Sequence, residues 1–70
     1  MSNNKRKHKM KNYRLYIQFF SPDGLPVARG EFTVQALNLF TAKQIKENEL
    51  KECGYSLNEF LIYKVIPDAD

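Results

Sequence analysis

The sequence predicts a small α+β domain of β-β-α-β order: a three-stranded antiparallel sheet, strand order 2-1-3, with one helix packed on one face. Three observations predict it. Tyr13 to Phe20 alternates in the period of a strand. The stretch Glu31 to Ile45 changes period part-way, from strand to helix. A last alternating run, about Phe60 to Ile66, closes at Pro67.

The first strand sets Tyr13, Leu15, Ile17 and Phe19 on one side, with Arg14, Tyr16, Gln18 and Phe20 on the other. Ser21-Pro22-Asp23-Gly24 follows with strong turn chemistry. Proline fixes its own φ, serine bonds back to the backbone, and glycine accepts a left-handed φ. Pro26 suits a strand start or edge, where a missing N–H is tolerated. The second strand runs from about Val27 to Leu37, with Gly30 marking a bulge. These two strands form an antiparallel hairpin.

The helix starts after either of two N-caps. Asn38 brings Leu39 onto the apolar face; Thr41 would complete a capping box with Gln44. Its end is set by Gly54, with Tyr55 reaching back to Leu50 in a Schellman arrangement. The expected buried stripe is Leu39, Ala42, Ile45, Leu50 and Cys53, interrupted by Lys46 and Glu49. The strand–helix–strand crossover makes the third strand parallel to the second. A short domain then places it beside the first. An order of 1-2-3, with a parallel pair, is the alternative.

The 70 residues allow one domain, near the lower limit for a core without staples. The domain spans residues 13–70, and residues 1–12 read as a disordered basic arm. The net charge is +3, unevenly spread: Lys5, Arg6, Lys7, Lys9 and Lys11 lie in the arm, while residues 13–70 carry six Lys/Arg against all eight Asp/Glu. No apolar run approaches the roughly 20 residues that cross a bilayer. The basic N-terminus is not followed by the apolar segment of a signal peptide. An unpaired thiol, Cys53, is most at home in the reducing cytoplasm. Compact basic chains of this size look like products of phages and mobile elements, though no motif here carries that comparison.

Catalysis finds little support, and the chain is expected not to be an enzyme. The one histidine, His8, lies in the arm, where nothing holds it beside a nucleophile. Cys53 falls at a helix C-terminus and reads as a small core hydrophobe. No Cys/His cluster offers a metal site, and Gly24, Gly30 and Gly54 are too scattered for a phosphate loop. No cofactor, no metal and no small-molecule substrate is expected.

Binding is the remaining class. One helix covers one side of a sheet whose third strand is apolar on both sides. If Leu61, Tyr63 and Val65 face the helix, Phe60, Ile62 and Ile66 join Tyr16 and Phe20 on the open side. Shifting that strand by one residue swaps the sets. Such a patch suits a protein partner or a second copy of the chain. Strand 60–66 is also an edge, guarded by Lys64 and Pro67. The alternative partner is nucleic acid, met by the arm (Lys5, Arg6, Lys7, Lys9, Lys11) with Arg14 and Tyr16 assisting. Tyr16 and Phe20 beside Arg14 also resemble the surfaces of single-strand binders, which stack bases on aromatic side chains over a sheet. The RNA-recognition-motif fold has a second helix and a fourth strand that this chain lacks. Arg14 and Arg29 are offset in charge by Glu31 and Glu59.

Overall fold

The computed structural model describes residues 10–68. Four main elements follow one another: β1 (Lys11–Phe20), β2 (Pro26–Ala36), α1 (Leu39–Glu52) and β3 (Phe60–Pro67), with a 3₁₀ turn at Leu57–Glu59 before β3. The sheet order is β2-β1-β3, and both pairings are antiparallel. β1 begins at Lys11, two residues before the expected start, because Lys11 and Asn12 pair with Ala36 and Gln35. The other expected arm residues, Lys5, Arg6, Lys7, His8 and Lys9, lie outside the described residues.

The hairpin turn closes as its residues dictate. The Gly24 N–H donates to the Ser21 carbonyl at 2.8 Å, and Gly24 takes φ of +89°. The Ser21 Oγ accepts from the Leu25 N–H at 3.3 Å. At the other end of β2, Asn38 is the N-cap. Its side chain accepts from the Thr41 N–H at 2.8 Å. The C-terminal end of α1 is a Schellman motif: Tyr55 N–H donates to Leu50 O and Gly54 N–H to Lys51 O, both at 3.0 Å, with Gly54 at φ +103°.

The core lies between α1 and one side of the sheet. Tyr13, Leu15 and Ile17 come from β1, Val34 and Ala36 from β2, Ala42 and Leu50 from α1, and Phe60 and Ile62 from β3. Leu15 and Ile17 are fully buried, as central-strand residues with neighbours on both flanks.

Four expectations change. Phe60 and Ile62 belong to the core, only 5% and 7% exposed, not to the open side. Their register explains it: Phe60 pairs with Phe19 and Ile62 with Ile17, and both partners face the helix. Gly30 is not a bulge; it pairs regularly with Ile17. A Cβ there would stand 2.5 Å from the Phe32 ring, so its bareness makes room for that ring. The irregularities instead fall at Val27, between the Phe19 and Phe20 pairings, and at Tyr63, between the Ile17 and Tyr16 pairings.

The helix stripe is the fourth change. Only Ala42 and Leu50 are buried; Leu39, Ile45 and Cys53 are exposed. Between Ala42 and Leu50, one turn from each, stands Lys46. Its Nζ lies 4.3 Å from the Phe32 ring centroid and 2.7 Å from Glu49 Oε1. The lysine stem thus occupies the middle of the inner face, and Ile45 is turned to the flank.

Candidate functional site

The side of the sheet away from α1 is the candidate site. On β1 it carries Arg14, Tyr16, Gln18 and Phe20, since the alternate residues are in the core. On β2 it carries Arg29, Glu31 and Thr33, the register partners of Gln18, Tyr16 and Arg14.

β3 contributes through its bulge. Lys64 pairs with Tyr16 and Ile62 with Ile17, so Tyr63 is an extra residue with no partner of its own. An extra residue reverses which side the later positions face. Before it, Leu61 is open and Ile62 is core. After it, Lys64 and Ile66 are open, and Val65, opposite Leu15, packs against the core. Tyr63 itself lies on the open side beside Tyr16, at 6.3 Å between ring centroids and a 44° tilt.

Of the surface residues expected from the sequence, Tyr16, Phe20 and Ile66 do lie on the open side, half-buried, with Phe20 at the hairpin end of β1 and Ile66 toward the other end, opposite Arg14. Phe60 and Ile62 do not. Leu61, Tyr63, Lys64 and Arg29 take their place, with Leu61 54% and Tyr63 46% exposed. Alternation alone could not find them, because both sides of β3 are apolar. The one local signal is Tyr63-Lys64, a pair of adjacent polar-tipped residues inside an apolar run.

Cations interleave with the two rings. Lys64 Nζ lies 5.4 Å from the centroid of Tyr16, and the Arg29 guanidinium carbon 5.8 Å from that of Tyr63. Arg29 is steadied by Gln18, whose Oε1 accepts from Arg29 Nε at 2.9 Å while its Nε2 donates to Ala28 O, also at 2.9 Å. Arg14 is paired twice, to Glu31 at 3.2 Å and to Asp68 at 2.9 Å. The Tyr16 side chain foremost, then Asp68 and Glu31, raise the Arg14 pKa above its ordinary value, so this guanidinium stays charged.

The charge balance therefore differs from the expected one. Both carboxylates of the face are held by Arg14, and Arg29 and Lys64 form no ion pair among the described residues. Glu59 is elsewhere: it accepts from the Ser56 N–H at 2.9 Å, within the 3₁₀ turn. Of the nucleic-acid candidates, Lys11 is an exposed strand residue and Arg14 sits in the paired cluster.

Other places offer less. A dent on the outer surface of α1 is lined by Phe40, Lys43, Gln44 and Glu47, all from one helix, and so has no second wall. Among the described residues no group of three or more His, Cys, Asp or Glu side chains is placed to hold a metal ion. Among them, too, no helix is long and apolar enough to cross a membrane. Comparison with protein-family models, with curated proteins and with solved structures found no match to this chain.

Proposed function

We propose that this chain is a non-catalytic binding module whose contact surface for a protein partner is the open side of its sheet. The observation that carries the reading is the pair of half-buried Tyr16 and exposed Tyr63, between Arg29 and Lys64, with Leu61 and Ile66 beside it on β3. Tyrosine and arginine are the residue types that dominate contact energies between proteins, because they combine large rigid area with a polar tip. They stand on strands, so little order is lost when they bind. Arg29 and Lys64, which form no ion pair among the described residues, favour a partner that brings carboxylates. The edge of β3 adds less, since the Tyr63 bulge joins Lys64 and Pro67 in guarding it.

The test is capture of partners from a lysate of the source cell by the immobilised domain. Tyr63→Ala and Leu61→Glu should lose the captured protein, and Lys43→Glu on the outer surface of α1 should retain it. Equal capture by all three would refute the reading.

One observation favours a second reading. Two aromatic rings flanked by two cations also form a stacking platform for a single-stranded nucleic acid. Fluorescence anisotropy with a labelled single-stranded oligonucleotide tests it. Binding that falls with salt and is lost in Tyr16→Ala and Lys64→Ala would favour nucleic acid over protein. No binding at low salt would remove it.

A further inference from the structure

The second free edge of the sheet is β2, and it differs from β3. From Ala28 to Ala36 its pairing with β1 is regular, and this stretch holds no proline, no lysine and no bulge. Its outer backbone groups are paired to nothing within the described residues. A long regular edge is a template for another strand.

The residues along it fit a particular occupant. Arg29 and Glu31 stand one on each side of Gly30, both exposed and both on the open side of the sheet. Ala28 and Phe32 flank them on the helix side. Consider two copies of β2 laid antiparallel about a two-fold axis at Gly30. Arg29 then faces Glu31 of the second copy, and Glu31 faces its Arg29. On the other side each Phe32 faces an Ala28, large against small. Opposite charges directly across a strand pair stabilise it, and like charges oppose it. Moving the axis to Glu31 would set two glutamates against each other; moving it to Phe32 would leave both charges facing neutral residues.

The position also fits the cover of the sheet. Val34 and Ala36 are buried with Ala42 of α1, whereas Ala28 is exposed and Val27 is 62% exposed. In the two-fold arrangement the helix-covered end of one copy lies beside the bare hairpin end of the other.

We propose that two copies of this chain pair through β2, antiparallel about Gly30, to make one continuous six-stranded sheet. Both helices lie on one side of it, and both open faces form the other. The pairing runs along the edge of β2 and stands without the proposed contact face, from which it draws two residues: Glu31 would exchange Arg14 for the second copy's Arg29, and Arg29 would leave Gln18 and Tyr63.

Charge exchange tests it, with sedimentation velocity over a concentration series and circular dichroism as the check on folding. The natural chain should dimerise. Arg29→Glu alone sets glutamate against Glu31, and Glu31→Arg alone sets arginine against Arg29, twice per dimer in each case. Each should weaken association roughly tenfold or more. The double variant Arg29→Glu/Glu31→Arg restores both pairs with signs exchanged and should recover the dimer. Thr33→Pro, which removes an N–H from the outer side of β2 because Thr33 stands opposite Arg14, whose own N–H and C=O face β3, provides a variant that leaves charge untouched and should also weaken it. A natural chain that is monomeric at all concentrations overturns the proposal without touching the open-face reading. So does a dimer indifferent to the single exchanges, or one that the double exchange fails to recover.

Discussion

Tyr16 and Tyr63 meet on the uncovered side of the sheet because β3 carries one residue more than β1 across the Tyr16–Ile17 step. Remove that residue and Lys64 would follow Ile62 in register, with no ring beside Tyr16. A single insertion thus decides both which side chains make the core and which face outward.

Lys46 is the first place to test the packing. Its stem lies under the helix and its ammonium rests on Phe32 and Glu49. Lys46→Ala removes the stem and should destabilise the domain by about 1–2 kcal/mol in urea unfolding. Lys46→Met keeps the bulk and gives up the ion pair and ring contact. It should stay within about 1 kcal/mol of the natural chain.

Gly30 and Phe32 should behave as one unit. Gly30→Ala drives a methyl to 2.5 Å from a ring that is packed edge-on against Phe19. The expected cost is about 1–3 kcal/mol. In a Phe32→Ala background the ring is gone and the same change should cost almost nothing. A double-mutant cycle of unfolding free energies reads the coupling.

The helix ends carry separable contributions. Asn38→Ala loses the cap on the Thr41 N–H and should cost about 1 kcal/mol. Gly54→Ala meets no atom within 4 Å, so its cost, also about 1 kcal/mol, comes from the left-handed backbone alone. Circular dichroism on urea titration measures both.

Cys53 should react as an exposed thiol. It lies at the surface beyond the last turn of α1, so a thiol reagent should label the folded protein nearly as fast as the denatured one. Labelling only on unfolding would return it to the core.

What the residues declare locally matched the structure. Ser21-Pro22-Asp23-Gly24 made its turn, Gly54 ended its helix, and the short connections gave the order 2-1-3. These signals are steric and act over a few residues. The side assignment of Phe60 and Ile62 was not legible, because Phe60 to Ile66 is apolar on both sides and hydrophobicity cannot choose between them. The bulge at Tyr63 depends on β1 across the sheet. Ile45 and Lys46 exchanged roles for a similar reason. The helix rotated to seat a small residue, Ala42, and a long flexible stem against the large rings of β1 and β2.

The division of β3 into a core side and an open side underlies the whole account, and two adjacent substitutions test it directly. The free energies of unfolding of Leu61→Glu and Ile62→Glu should be compared with that of the natural chain. Ile62→Glu buries an unpaired carboxylate against Ile17 and should leave little or no folded protein, a loss of more than about 3 kcal/mol. Leu61→Glu places its charge in water and should unfold within about 1 kcal/mol of the natural chain. The opposite ranking, with Leu61→Glu unfolded and Ile62→Glu stable, would contradict the account.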